Sequence, residues 1–493
     1  MSSTDPTKSA GLPEYPFEED SSREANPTRR GLHRIGVAVS RRGNLLSAIV
    51  ASLIVAFYGV SLAIVAVDGH PMSWLDEHVH FDTAVKLHDG RLSYQGALYE
   101  QEVIDEWTCG VGHQAGPLEH GCGDARLDSS DITSGTYTTG YIHYPTYFLG
   151  AEAFRAIVGS HGPYGIDTYR LFSAVLMTLG VAACGVFAWF LGQKRLGLIA
   201  AVAVPSAATS MTVMGEMVTP NSTTLLAGAL IAGTGLLWIK RGKGFVWLAL
   251  AAAFASVNVV IASLPVAAFL FLIAWELVFR RRRPSPSGPG CITARWWQLL
   301  VLGAIVVLPV FIWGRYIAAT ATRTAAEVYG PYQMSGWRNV AVGAVQELTS
   351  LHTPWTEWSA GLIAGPTTLA VIGRIAAAGV PVAITILVFG ALVCALLRMD
   401  LTGGPRVGGR GPWTNIHTTA LGAIIAIITY PVALRISNAL TYGVDYPVVA
   451  RYSITFAPIL VLLVLLLAPS RGYRALLIVV GLIGTLGAVA VWI

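Results

Sequence analysis

Charge is what this chain has least of. Charged residues make up 12% of its 493 positions, against roughly a quarter in ordinary globular domains. Length alone would suggest about three soluble domains, but the chain cannot cover them with a charged surface. Cysteine is also scarce: five residues do not make a disulfide scaffold. Several motifs are missing as well. There is no Walker-type glycine-rich cradle for a nucleotide, no Gly-x-Ser-x-Gly elbow for acyl transfer and no Cys-x-x-Cys for thiol redox chemistry. No solenoid-period repeat or convincing inverted repeat is visible, and nothing points to nucleic acid. What is present is apolar surface, at 54% of residues, and it implies an all-α polytopic membrane protein.

Residues 1–43 are rich in Ser, Pro, Glu and Arg. They cannot bury enough apolar surface to offset their ordering entropy, and are expected to form a disordered cytoplasmic tail. The transmembrane domain is expected over 44–493. Its first apolar run, 44–67, is long enough for a bilayer core of ~30 Å and too long for a cleaved signal peptide. Further runs near 169–192, 196–214, 221–239, 244–262, 264–279, 298–317, 375–397, 416–434, 453–469 and 475–492 bring the expected number of spans to eleven. With the N-terminus inside, cytoplasmic segments hold 22 of the 33 Lys and Arg residues, and 20 of the 28 acidic residues lie outside. This agrees with the positive-inside rule. Two outer loops are large, 68–168 and 318–374, and the working face is expected outside.

The first outer loop opens with Asp76-Glu77-His78-Val79-His80-Phe81-Asp82. Ionisable groups crowded at a bilayer edge are costly to desolvate and therefore candidates for function. In a helix Asp76 and His80 share a face, and Asp82 can pair with Lys86 at the same spacing. A carboxylate beside an imidazole suits proton abstraction. An interfacial helix with solvated charges would carry the same sequence. The set could also offer metal ligands, although His-x-His places both rings together on a strand rather than on a helix. Cys109 and Cys122 enclose 12 residues, and outside the membrane they are expected to form a structural disulfide. Farther along, Tyr141-Ile142-His143-Tyr144-Pro145 suits a membrane interface, with a surface-lying or re-entrant helix starting near Pro145.

Asp76-Glu77-His78-Val79-His80 just after the first membrane helix resembles the Asp-Glu-x-x-His signature of bacterial GT-C glycosyltransferases, which use polyprenyl-phosphate sugars. Tyr144-Pro145-Thr146-Tyr147, Pro220-Asn221 and Ala450-Arg451-Tyr452 with Pro458 also fit that superfamily. The chain departs from it in having no sizeable C-terminal soluble domain and no second Asp-x-Asp motif. The metal question is thereby left open, with a divalent cation conceivable and no other cofactor implied. The resemblance implies an inverting transferase in which Asp76, or failing that Glu77, is the general base. Arg451 then contacts the donor phosphate, with Arg435 and Arg315 as lesser candidates, because guanidinium is shaped for bidentate phosphate contact. His80, His143, Tyr144, Glu216 and Trp355 are candidates for substrate binding. An aromatic belt, helix capping by Glu216 and an arginine that reaches to the interface explain the same residues without chemistry.

The implied donor is a polyprenyl-phosphate sugar, arabinofuranose and mannose being natural guesses. The implied acceptor is a cell-envelope glycan, a glycolipid or a secreted protein. The surroundings would be the lipids of a bacterial, by composition actinobacterial, plasma membrane. Two other readings stand beside this one. A transporter or flippase for a lipid-linked saccharide should carry ionisable groups near the bilayer midplane, whereas the charges here gather at span ends. A non-catalytic subunit of an envelope-assembly complex would tolerate loss of Asp76.

Overall fold

The computed structural model describes residues 27–70, 72–73, 76–109, 127–132, 134–258, 295–330, 336–349, 352–355, 368–397, 415–445, 447–468 and 470–490. The chain divides into two compact units, 1–46 and 47–493. In the first, helix α1 (Pro27–Ala66) begins within the segment expected to be a tail. The regular elements named in the second unit are all helices among the described residues. An isolated antiparallel bridge between Leu98 and Tyr137 is its β-type pairing outside named strands.

Eight described helices are long and apolar enough to cross a membrane: Gly43–Ala66, Pro163–Phe190, Pro220–Arg241, Trp296–Thr320, Ala378–Leu396, Ile416–Tyr442, Ala450–Leu467 and Arg471–Ala488. The protein is therefore a multi-pass membrane protein. The stretch expected to span at 244–262 is described as the 14-residue helix Phe245–Asn258. The expected span at 264–279 lies outside the described residues.

The expected span at 196–214 is broken in two, α6 (Leu196–Ser206) and α7 (Thr209–Glu216), which meet at a 66° bend. Pro205 lies at the end of α6, and a proline there lacks the N–H that would continue the ladder. Ala208 N–H donates to Pro205 O rather than to Val204 O, and the freed Val204 carbonyl accepts the Trp355 indole N–H at 3.2 Å. Ser210 Oγ donates to Pro354 O at 2.7 Å. Trp355 thus satisfies a carbonyl that the bend exposes, and the Ser210 hydroxyl at the bend satisfies the Pro354 carbonyl in return.

Two cores result. The larger fills the bundle around α8 (Thr224–Arg241) and α15 (Ala457–Leu467), most of whose residues are buried, while α10 (Trp296–Thr320) is largely exposed. The smaller one is built mainly from the segment between the first two described spans. There α2 (Glu77–His88), α3 (Gln101–Cys109) and α4 (Thr146–Val158) pack Phe81, Val103, Trp107 and Phe148 against Ile166 and Tyr169 of α5 (Ile166–Phe190). The helix expected near Pro145 is α4, with Pro145 at its N-cap. The remaining helices are α9 (Phe245–Asn258), α11 (Ala325–Tyr329), α12 (Trp337–Thr349), α13 (Thr368–Leu396), α14 (Asn415–Tyr442) and α16 (Arg471–Ala490).

Before α15 the chain winds as a 3-10 segment, Ala450–Phe456, which crosses α8 closely. Gly228 makes the crossing possible, since a Cβ there would run into the Thr455 carbonyl. Small residues allow this approach between membrane helices. Gly228→Val should therefore destabilise the protein by ~1–3 kcal/mol, as overpacking does. Thermal unfolding in detergent checks it, and a variant as stable as the wild type would show that the crossing relaxes freely.

Candidate active site

Asp76 takes a left-handed backbone conformation, φ 66° and ψ 12°, at the N-cap of α2. Non-glycine residues seldom adopt it, and it recurs where function over-determines the backbone. Its carboxylate makes no capping hydrogen bond. Instead Arg451 Nη2 donates to Asp76 Oδ2 at 2.9 Å, across 375 residues of sequence. The two ends of this pair differ in exposure: the Arg451 side chain is 8% exposed and that of Asp76 54%. The expected base and the first choice for phosphate contact thus touch, at an opening that solvent reaches.

Glu77 is the opposite case. It is fully buried and accepts from Arg170 Nε at 2.8 Å and Nη2 at 3.1 Å. It also accepts from Ser73 N at 2.6 Å and Val218 N at 2.9 Å. Arg170 Nη1 donates to His70 O at 2.9 Å. Burial by itself would raise the Glu77 carboxyl, but the charge and hydrogen bonds of Arg170 outweigh it and hold the group below the ordinary range. A carboxylate so fully occupied has no lone pair to offer a substrate, so the geometry speaks against Glu77 as the alternative base. Arg170 went unnoticed in the sequence because it stands at the mouth of an apolar span, where an arginine reads as an interface anchor.

The two histidines also come together. The His80 and His143 rings meet edge to face, centroids 4.5 Å apart. Burial, then the His143 and Arg451 charges, push His80 well below the usual imidazole range. Burial takes His143 down to about 4, against some pull upward from Asp76. Both rings are neutral at pH 7 and adjoin the Asp76–Arg451 pair. His80 Nδ1 is buried with no hydrogen-bond partner among the described residues. Beside them Asp82 pairs with Lys86 at 2.5 Å as expected, and His78 Nε2 lies 2.7 Å from Ser134 Oγ.

The other candidates are placed differently. Tyr144 is buried, edge-on to Trp313 at 6.0 Å, and burial pushes its phenol up. Glu216 is buried at the end of α7, and its Oε2 has no partner among the described residues. It lies at the C-terminus of α7 rather than capping the helix that follows, where Thr219 accepts from Asn221 N instead. Trp355 is fully buried with its indole bound to Val204 O, so it serves the helix bend and offers no open face to a sugar. Arg435 is bound to two carboxylates, Glu347 at 3.1 Å and Asp445 at 2.7 Å; a phosphate would have to displace both. Arg315 is exposed on α10, beside Trp313 and Tyr316, which anchor that helix to Tyr141 O and Ser93 O. Among the described residues no group of three or more His, Cys, Asp or Glu side chains could hold a metal ion. Cys109 ends α3, and its expected partner Cys122 lies outside the described residues.

No protein-family model matches the chain, and no curated protein matches it. Among solved structures it is similar to the crystal structure of ArnT from Cupriavidus metallidurans bound to undecaprenyl phosphate, with a TM-score of 0.42 and 14% identity. The match covers 84% of this chain and 59% of that one, so the chain spans about three-fifths of the length of that structure.

The histidine pair makes stability depend on pH. An imidazole depressed in the folded state binds its proton in the unfolded chain first, so stability falls as pH drops from ~6.5 toward the His143 value of about 4. His143→Gln should flatten the dependence in that window, as read by thermal unfolding between pH 4 and 7. Glu77→Gln should cost ~3–5 kcal/mol, because it leaves the Arg170 charge buried without a carboxylate; chemical unfolding at pH 7 measures it.

Proposed function

We propose that this protein is an inverting glycosyltransferase of the GT-C kind. It moves a sugar from a polyprenyl-phosphate donor to a hydroxyl of a cell-envelope glycan, glycolipid or secreted protein on the outer face of a bacterial plasma membrane. The observation that carries the reading is the Asp76–Arg451 contact of 2.9 Å. It joins the carboxylate that the sequence motif marks as base to the arginine marked for phosphate, at the mouth of a membrane bundle.

The chemistry follows from those two groups. Arg451 turns from Asp76 to the donor phosphate, where a guanidinium makes its strongest contacts. Asp76, half-exposed, then faces the acceptor with its carboxylate released. It takes the proton of the acceptor hydroxyl as that oxygen attacks the anomeric carbon. The bond from that carbon to the phosphate oxygen breaks on the opposite face, its electron pair leaves with the lipid phosphate, and the configuration inverts. Arg451 balances the charge that gathers on the departing phosphate. The neutral His80 and His143 rings line this position and can hydrogen-bond sugar or acceptor hydroxyls without adding a charge that would compete for the phosphate. Arabinofuranose and mannose are the sugars to try first.

A transfer assay in nanodiscs, with radiolabelled polyprenyl-phosphate sugars and a crude envelope acceptor, tests the proposal. Asp76→Asn should lower transfer by at least ~10²-fold while the protein stays folded. The same variant should bind undecaprenyl phosphate as tightly as the wild type or a few-fold more tightly, because the phosphate no longer competes with a carboxylate for Arg451. Arg451→Gln should weaken that binding. Equal transfer by wild type and Asp76→Asn would remove Asp76 as the base. Binding of the labelled lipid without transfer from any donor would favour transport or a scaffolding role.

A further inference from the structure

Arg451 sits on a short segment that other parts of the chain hold at both ends. In front of it, the Val448 amide donates to Glu347 Oε1 at 3.1 Å. Glu347 belongs to α12, in the second outer loop, and is 4% exposed. The same oxygen accepts from Arg435 Nη1 at 3.1 Å, and Oε2 meets His352 Nε2 at 2.7 Å. Arg435 in turn donates through Nε to Asp445 at 2.7 Å, so the chain from 445 to 448 is tied at two points. Behind Arg451, Phe456 packs on Tyr430 with ring centroids 5.6 Å apart, and His352 lies edge-on to Tyr430 at 6.5 Å. Glu347 therefore holds the chain just ahead of the Ala450–Phe456 segment directly, and His352 backs the Tyr430 ring on which the far end of that segment packs.

Gly343 shows how closely the grip is fitted. It stands one helical turn before Glu347 on α12, and a Cβ there would collide with the Arg435 guanidinium. The guanidinium thus occupies the space that a side chain at position 343 would need. A single carboxylate that collects an arginine, a histidine and a backbone amide holds three elements in register, since a buried charge is tolerated only when its partners stay in place.

We infer that Glu347 is a positioning residue for the donor phosphate: by holding Arg435, His352 and the Val448 amide, it sets where Arg451 presents its guanidinium. The inference rests on the proposed function only for the identity of the ligand. It assigns Arg435 a place in the clamp rather than on the phosphate, and gives the second outer loop a part in donor binding through the Val448 amide that Glu347 holds.

The test measures binding of undecaprenyl phosphate to the full chain in nanodiscs. Glu347→Gln should weaken binding about tenfold, within the range found for coupled neighbours. Gly343→Ala, which displaces the Arg435 guanidinium without changing a charge, should act in the same direction and serves if the first variant fails to fold. Placed in an Arg451→Gln background, neither change should weaken binding further. A further loss as large as in the wild-type background would mean that Glu347 supports the bundle generally, and would overturn the inference. If the wild type binds no lipid phosphate, the proposed function fails instead. Hydrogen exchange then decides the positioning role. Faster exchange confined to 447–456 in Glu347→Gln upholds it, and unchanged exchange there overturns it.

Discussion

The buried ion pair between Glu77 and Arg170 is the constraint on which the rest of the candidate site depends. Burying two charges is expensive, and the expense is offset only when every lone pair and proton finds a partner. Here the carboxylate takes two guanidinium nitrogens and two backbone amides, and the guanidinium takes the His70 carbonyl as well. Those contacts draw together the end of the first span, the start of α2, the mouth of α5 and the turn after α7. Once Glu77 is fixed, Asp76 has little freedom left. It is the adjoining residue, its backbone is held at φ 66°, and its side chain turns outward as that of Glu77 turns inward.

The polar groups around the candidate site fall into closed and open sets. Glu77–Arg170 and Glu347–Arg435 are closed: both partners are buried or nearly so, and each carboxylate is occupied several times over. Asp76–Arg451 is open, because one partner is half-exposed. Such a pair is held less firmly than the closed ones, since water competes for the exposed Asp76 carboxylate. That weakness suits a site in which one charge must change partners, while the closed pairs on either side keep the two residues facing each other.

The bend between α6 and α7 shows how far the loops are part of the bundle. A helix that breaks in an apolar interior leaves carbonyls without an amide, and such a carbonyl must be satisfied from elsewhere. Trp355, far along the chain, does this for Val204 O. Trp355, a candidate for substrate binding in the sequence, is thereby a structural plug.

The sequence by itself determined the membrane class, the ends of several spans and the pairs that are local. Asp82 and Lys86 stand four apart on one helix, and the helix after Pro145 begins where proline suits a first turn; spacing along the chain decides such features. It also marked Asp76 and Arg451, one beside the first membrane helix and the other at the mouth of a late one. Their contact was not legible, because nothing in the spacing of two residues 375 apart says that their spans are neighbours. Tertiary structure decided that, and it separated Asp76 from Glu77. The two are adjacent carboxylates of similar chemistry, and only the position of Arg170 makes one a buried strut and leaves the other facing water. The fate of Arg435 and Trp355 was decided in the same way. An arginine at a span end and a tryptophan in an outer loop look available in one dimension, and they are occupied once distant carboxylates and a bent helix are folded against them.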